Sequence, residues 1–310
     1  MIGKLLNYAI KGSQTLLCFL NDMVLYSKFS IGGLVRSHDA DYESVMEIHK
    51  IEKGLSLPSP RECFGKNVVS EINEKLVAGE ESVLAREMAL GALQEYEQRF
   101  ENSQCYDTTL IDHELISREG LEARGGTKKV TFPDLDVTQG VNFLTSRFSC
   151  RQYGNQLVPY ETVKSIVATA QSAPSQCNRQ GVRVKYLENY DDVQRALEIQ
   201  GCAGGFSQDV RQLFIVCSDL RSWRGPQQRN QVYVDGALFS AGLIYACHAH
   251  KCGSCALNLA VPNTNEKRIK NEFDIPDHFR LIMLIAFGYM TESEIRVAYS
   301  LRRDVGEIFL

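Results

Sequence analysis

The sequence predicts an α+β fold in which helices flank a mainly antiparallel sheet and one helix is buried. Two observations carry this prediction. Three short runs rich in β-branched residues alternate with helical patterns, which is typical of strands and helices packed in layers. The run DGALFSAGLIYACHAHKCG (235–253) is apolar nearly all round, which is typical of a buried helix.

The first part of the chain is predicted to be mostly helical. Strand-like runs are few before about residue 125, and SVLAREMALGALQEYEQRF (82–100) combines helix-forming residues with an apolar face. The segment EARGGTKKVTFPD (122–134) contains paired glycines, paired lysines and a proline, which is typical of a linker. We therefore expect a helical extension over residues 1–130 and a second domain over residues 140–310.

The second part is predicted to alternate helices with strands. A helix is expected to begin near Pro159, because proline suits a helix N-terminus, and to end before Pro174. The apolar residues between these two prolines recur at helical spacing. The strand candidates are VRVKYL (182–187), QLFIVCS (212–218) and LIMLIAFG (281–288).

Composition and charge narrow the class of function. With 310 residues, of which 44% are hydrophobic and 23% charged, the chain is typical of a globular protein. Its net charge of −4 provides no basic excess for a phosphate backbone, so we expect no nucleic-acid partner. Residues 39–124 hold 19 acidic and 9 basic residues, whereas the remainder holds 19 and 25. The basic remainder is suited to small anionic ligands.

The N-terminal residues and the cysteines bear on location. Lys4, Lys11, Asp22 and Lys28 interrupt the apolar patches of the first thirty residues, so we expect neither a signal peptide nor an integral membrane segment. A packed core helix is expected there, and an amphipathic surface helix is the alternative. Ten cysteines without a signal peptide indicate reduced thiols, without disulfides, in a cytoplasmic protein.

Four separated segments of the second part carry polar and small residues suited to one ligand. In SRFSCRQY (146–153), Arg147, Ser149 and Arg151 alternate, which places them on one side of an extended stretch. Two guanidiniums and a hydroxyl there can bind a phosphate and a carbonyl-rich ring. Taken singly, each segment is also typical of an ordinary turn or loop. The other three are SAPSQCNRQG (172–181), the turn KCGSC (251–255) and YSLRRDV (299–305).

In this order and spacing, the segments resemble the nitroreductase-like flavoprotein family over roughly residues 140–310. One departure is Gly181-Val182, where family members usually have Pro-Trp, and this difference bears on substrate fit. The matching residues are Arg147-Phe148-Ser149-Cys150-Arg151, Ala173-Pro174-Ser175-Gln176-Cys177-Asn178-Arg179-Gln180, the helix from about Asp235, Gly253-Ser254-Cys255 and Arg302-Arg303.

The resemblance implies a nitroreductase-like fold and a homodimer that binds FMN, with the apolar helix at the subunit interface and each flavin touching both chains. Arg147, Arg302 and Arg303 are then expected at the phosphate and ribityl chain, and Arg151 near the pyrimidine end of the ring. The implied cofactor-binding residues are Arg147, Ser149, Arg151, Pro174, Ser175, Gln176, Asn178, Gly253, Ser254, Arg302 and Arg303.

The implied activity is that of an FMN-dependent oxidoreductase with a ping-pong cycle. NADH or NADPH, or another donor, delivers hydride to the flavin, and a nitroaromatic, a quinone or another small oxidised acceptor takes it. No side-chain acid or base stands out, and no metal site is expected. A substrate-specific flavin dehydrogenase working in the oxidative direction is one alternative, since no residue excludes it. The segment HKIEKGLSLPSPRECFGK (49–66) resembles extensions on nitroreductase-like proteins associated with surface-polysaccharide genes, to which such an enzyme would be linked. A non-catalytic flavin-binding scaffold is the other.

Three further features have competing interpretations. Cys252 and Cys255, preceded by His248 and His250, suit apolar packing better than a zinc knuckle or a dithiol, because no second ligand pair follows. Trp223 is expected to be either an exposed-loop aromatic or part of a substrate lid. The acidic helical extension is expected to cover the flavin, and stabilisation of the dimer or binding of a partner are the alternatives.

Overall fold

A four-stranded antiparallel sheet organises the second half of the chain. Its order is β1-β2-β4-β3, with every neighbouring pair antiparallel. The strands are β1 (Val182–Leu187), β2 (Gln212–Asp219), β3 (Gly253–Asn258) and β4 (Phe279–Gly288). The structure is a computed structural model that describes residues 2–34, 41–79, 81–117, 122–201 and 203–310.

Three of the four strands coincide with the sequence prediction, and β3 was missed. Its sequence, GSCALN, has no β-branched residue and was predicted as a turn. Gly253 in fact pairs with Gly288 of β4, and the ladder continues to Asn258. The strand β3 thus forms because it pairs with β4, and not because its own small residues favour a strand.

Helices cover both faces of the sheet because residues of the strands alternate between two cores. Leu213 and Ile215 of β2 belong to one core, and Phe214 and Val216 belong to the other. The helices are α7 (Tyr160–Ala170), α8 (Tyr190–Gln200), α9 (Gln231–Ala249) and α10 (Asn263–Glu272). Side chains of α8 and α10 join the first core, and those of α7 and α9 join the second. The predicted α+β fold is confirmed.

The apolar helix α9 is buried on one face only. Leu243, Ala246 and Cys247 pack on the sheet. The opposite face is exposed although it too is apolar, and includes Val234 and Leu238, which are 47% and 41% exposed. The predicted buried helix is thus present on the sheet side, and the subunit interface expected to cover its other face stays a prediction.

The segment Pro226–Ala249, which contains α9, meets the length and composition criteria for a membrane span, within the part of the chain that the structure describes. Core helices of soluble proteins meet the same criteria. One face of α9 packs against α7 and the sheet, and its other face is exposed.

The first half of the chain forms a helical cluster with its own core. Side chains such as Ile48, Ile72, Leu93 and Tyr96 are buried there. The helices are α2 (Asp41–Leu55), α3 (Lys66–Ala78), α4 (Val83–Phe100) and the short α5 (His113–Ile116). Ser82 caps α4 by accepting a hydrogen bond from the Ala85 amide at 3.2 Å.

The prediction that all cysteines are reduced thiols is wrong for one pair. Cys63 and Cys105 form a disulfide that joins the start of α3 to the segment after α4. Two cysteines 42 residues apart give no signal of pairing in the sequence, because spacing alone does not fix disulfide connectivity. Cys202 lies outside the described residues. A cytoplasmic location stays a prediction, and this disulfide removes part of its basis.

Helix α1 (Ile2–Phe29) is not the packed core helix that was expected. Residues 12–20 are all exposed, and among the side chains that the structure describes, packing against the body is found in the part of the helix that follows them. There, Phe29 joins Trp223 and Val232 in a small core, and the Tyr26 hydroxyl donates to the Gly225 carbonyl at 2.7 Å. Trp223 is fully buried, so both earlier interpretations of it, an exposed aromatic and a lid, are wrong.

The start of the predicted linker (122–134) packs against α4. The amides of Arg124 and Gly125 both donate to the Glu87 carbonyl of α4. A Cβ at Gly125 would lie 1.9 Å from the Met88 carbonyl oxygen, so only glycine fits against the helix. Beyond this point the chain is exposed, and it leads into α6 (Val137–Ser146), which buries no side chain.

Candidate functional site

The alternating segment after α6 lines a cleft of about 590 Å³. The backbone leaves the helix at Arg147, which has extended angles (φ −65°, ψ 135°). Arg147, Ser149 and Arg151 line the cleft, as the alternation predicted, and Cys150 turns into the core. Phe148 packs against the core and also borders the cleft. Residues 297–302, including Arg302, form the opposite wall.

The two C-terminal arginines differ. Arg302 lines the cleft and donates to the Ser300 carbonyl at 2.7 Å. Arg303 lies outside it and forms an ion pair with Glu307 at 2.9 Å. Of the two C-terminal arginines predicted to bind the phosphate, only Arg302 therefore lines the same cleft as Arg147.

The cleft is electropositive. Arg147, Arg151 and Arg302 bring three guanidiniums to its walls, and none of the residues that line it is acidic. His248, whose Nε2 lies 2.9 Å from the Ser146 hydroxyl, adds no charge at neutral pH. Its pKa is lowered by burial and by the nearby Arg147 guanidinium. The cleft is thus suited to an anion such as a phosphate.

Gly253 and Ser254 lie beside this segment, but in a strand rather than in a ligand-binding turn. The Cys150 amide donates to the Ser254 carbonyl at 2.9 Å, and Ser149 forms a parallel bridge with Ser254. A Cβ at Gly253 would lie 2.6 Å from the Cys150 Cβ. The glycine therefore admits the side chain of Cys150, and the approach of its backbone to a ligand stays a prediction.

The neighbouring cysteines face different cores. Cys252 packs with α9, and Cys255 packs on the opposite side of the sheet. Burial raises the pKa of Cys252 to about 11, so it is a protonated packing residue. The geometry is that of the apolar packing predicted for these two residues.

The loop that contains Pro174, Ser175, Gln176 and Asn178 lies elsewhere, at the N-terminal part of α9. The Gln176 amide donates to Oδ2 of Asp235 at 3.0 Å. Cys177, Asn178 and Gln180 all adopt positive φ, between 52° and 53°. The tight course is held by the Ser175 hydroxyl, which accepts from the Gln180 amide at 3.2 Å. Oε1 of Gln176 is buried and has no hydrogen-bond partner among the described residues.

This loop borders a cavity of about 370 Å³. Pro174 and Ser175 form part of its wall. Of the other polar wall residues, Arg179, Gln180 and Asp235 lay in the matching segments without a predicted role, whereas sequence reasoning missed Tyr42, Gln171 and Arg183. The sequence could have indicated Asp235, because it is the one acidic residue in an apolar helix. Burial raises the pKa of its carboxyl.

Tyr42 of α2 and Leu84 of α4 also line this cavity, so the helical extension contributes to it. Tyr42 is anchored to the body by donating to Oδ2 of the buried Asp219 at 3.0 Å. Met88 and Met46 contact the loop through Asn178 and Arg179. No sequence pattern links these residues, because more than 80 positions separate the methionines from the loop that they contact.

The cleft and the loop do not meet within one chain. The loop is attached at Asp235, whereas the cleft begins beside His248. Thirteen residues of continuous helix separate these two positions, which is about 20 Å at the rise of an α-helix. The four segments expected to hold one ligand are thus divided into two half-sites at opposite ends of α9.

Part of this chain is similar to known proteins in sequence and in fold. Residues 144–219 match the Nitroreductase family. A nitroreductase-like protein from Streptococcus mutans superposes with a TM-score of 0.51 at 16% identity, covering 56% of this chain and 98% of that one. A nitroreductase family protein from Clostridium difficile is 21% identical over 55% of this chain and 96% of its own, with a TM-score of 0.45. No curated protein matches the chain. The second half of this protein therefore has the nitroreductase fold that its motifs predicted, and the match to the family itself is confined to residues 144–219.

Proposed function

We propose that this protein is an FMN-dependent oxidoreductase that works as a homodimer and passes hydride from NADH or NADPH to a small oxidised acceptor. The observation that carries the proposal is the arginine-lined cleft, which lies within and beside the segment that matches the Nitroreductase family. The proposed units are the helical extension over residues 1–130 and the flavin-binding domain over residues 140–310.

The residues present fit FMN. The planar guanidiniums of Arg147 and Arg302, together with the Ser149 hydroxyl, supply hydrogen-bond donors for a terminal phosphate. In the other half-site, the unpartnered Oε1 of Gln176 is a buried acceptor, which suits the ring N–H of an isoalloxazine. FMN, when bound, supplies the hydride chemistry. The chain's own residues bind its phosphate, orient the ring and set the charge around it.

A two-fold dimer would complete the site. The exposed face of α9 presents Val234, Ala237, Leu238 and Ala241, which is an apolar stripe at helical spacing. A two-fold axis through this stripe would place the N-terminal end of one α9 beside the C-terminal end of its partner. Each cleft would then face the loop of the other chain. The exposed apolar side chains of α6 and of the C-terminal residues are further surface for the same interface.

The identity of the flavin tests the proposal. We expect the purified protein to be yellow and to release FMN, not FAD, on denaturation, because the cleft offers a terminal phosphate site. Anaerobic addition of NADH and of NADPH should bleach the bound flavin. A colourless protein that does not take up added FMN, or recovery of FAD, would contradict the proposal.

Arg151→Gln is expected to lower the flavin midpoint potential by about 30 mV. Two-electron reduction leaves negative charge near the pyrimidine end of the ring, and a fixed guanidinium stabilises that form more than the oxidised one. Arg151 is exposed and lies over the Phe206 ring at 6.0 Å, so solvent screens it. We therefore take the low end of a charge-assisted contact, about 1.5 kcal/mol, which corresponds to about 30 mV for two electrons.

The matched control is Arg211→Gln. Arg211 also lies over an aromatic ring, that of Tyr190 at 4.4 Å, but does not line the cleft. Spectroelectrochemical titration should show no change for this variant. Equal potentials for wild type and Arg151→Gln would mean that Arg151 only positions the loop.

A further inference from the structure

Arg179 is a buried cation on which the Asp235 carboxylate acts through its charge, without an ion pair between the two. Its side chain is 2% exposed and packs over the Trp223 ring at 5.3 Å. One guanidinium nitrogen donates to Oε1 of Gln228 at 3.2 Å and the other contacts Sδ of Met46 at 2.8 Å. Its Nε has no hydrogen-bond partner, and no carboxylate of the described residues forms an ion pair with it.

Burial of an unpaired charge is costly, so such a group usually has a counter-ion in the functional state. Burial lowers the pKa of Arg179, in keeping with this cost. Asp235 is the one carboxylate on the same cavity wall, and its Oδ2 already accepts from the Gln176 amide. Arg179 therefore has unused capacity for an anion in the cavity that it lines.

A second guanidinium faces the same cavity. Arg183 is exposed, and a single one of its nitrogens is engaged, donating to the carbonyls of Gln180 and Val182 at 2.7 and 2.8 Å. Two arginines and one aspartate leave the wall with one unbalanced positive charge. The remaining lining is uncharged: Leu84, Val167 and Phe239 are among its apolar residues, and its polar residues are Tyr42, Gln171, Ser175 and Gln180. A planar organic molecule with one negative charge matches this wall better than a doubly charged phosphate.

We propose that this cavity binds the oxidised acceptor and selects acceptors that carry a carboxylate, with Arg179 and Arg183 as the anion-binding residues. The proposal rests on the proposed function, since the cavity borders the loop expected at the flavin ring. Its volume of about 370 Å³ is within the range of small-molecule sites. Tyr42 and Leu84 form one side of the pocket, so the helical extension takes part in substrate selection.

The test compares 4-nitrobenzoate with 4-nitrobenzamide, which have nearly the same shape and differ in charge. Calorimetric titration of the protein as purified measures binding, and steady-state reduction with NADH or NADPH measures turnover. We expect the wild-type protein to prefer the carboxylate by about tenfold or more in Kd and in kcat/KM. Arg183→Gln should reduce this preference about tenfold and leave Kd for the amide and the flavin content unchanged.

Arg183 is the residue to change because it is exposed, whereas Arg179 is packed between Met46 and Trp223. Lys185→Gln is the matched control, since it removes a cation from the same strand, two residues on, outside the cavity. Inorganic phosphate should not displace 4-nitrobenzoate.

Each outcome decides between the two proposals. Equal binding of acid and amide, an unchanged preference in Arg183→Gln, or displacement by phosphate would overturn the anion pocket even if the flavin is reduced normally. Selective, Arg183-dependent binding of 4-nitrobenzoate to a protein without flavin or turnover would instead support the pocket and overturn the oxidoreductase.

Discussion

If the proposed homodimer is right, Leu238→Arg is expected to convert it into monomers that do not hold FMN. Leu238 is 41% exposed near the centre of the apolar stripe on α9. In the proposed dimer an arginine there would be desolvated without a partner, which costs several kcal/mol at each of two symmetry-related positions. We therefore expect a loss of more than about 100-fold in dimer affinity.

FMN should be lost in the same variant because its half-sites are about 20 Å apart in one chain. Analytical ultracentrifugation gives the oligomeric state, and absorbance near 450 nm gives the bound flavin. Val77→Arg is the control, since Val77 is 57% exposed on α3, away from the stripe. A Leu238→Arg monomer with full flavin content, or a monomeric wild-type protein, would show that each chain completes its own site.

The strands β2 and β4 were predictable from the sequence because their own residues favour the strand conformation. Residues 212–218 and 281–288 are runs of β-branched and apolar side chains, and they form β2 and β4. The strand β3 was not predictable from GSCALN, since it exists through its ladder with β4. The exposed stripe of α9 was likewise hidden, because an apolar pattern all round does not say which face the same chain covers.

In the candidate site, too, positions set by the local sequence pattern were predictable and positions set by tertiary packing were not. Alternation in residues 147–151 predicted that Arg147, Ser149 and Arg151 share one side, and they line one cleft. Tyr42 was not predictable, because a single tyrosine more than 100 residues from the loop joins its cavity by tertiary packing alone. Arg179 lay inside the recognised motif, yet its missing counter-ion became visible only with its burial.

FMN binding should depend on Arg302 and much less on its neighbour Arg303. Arg302→Gln and Arg147→Gln are each expected to weaken FMN about 10–100-fold, the value of one charge-assisted contact of about 1.5–3 kcal/mol. Arg303→Gln should change the affinity less than about threefold, because its exposed ion pair with Glu307 lies outside the cleft and is worth little. Quenching of flavin fluorescence on titration into apoprotein measures each Kd.

Riboflavin separates a phosphate contact from a general disturbance of the cleft. It has the ring and ribityl chain of FMN but no phosphate, so Arg302→Gln should leave the Kd for riboflavin unchanged while weakening FMN. Arg302 and Arg303 also share one stretch of backbone, so a difference between their two variants is not explained by the local chain. If both variants weaken FMN equally, or if riboflavin is weakened as much as FMN, the cleft beside Arg147 is not where the phosphate binds.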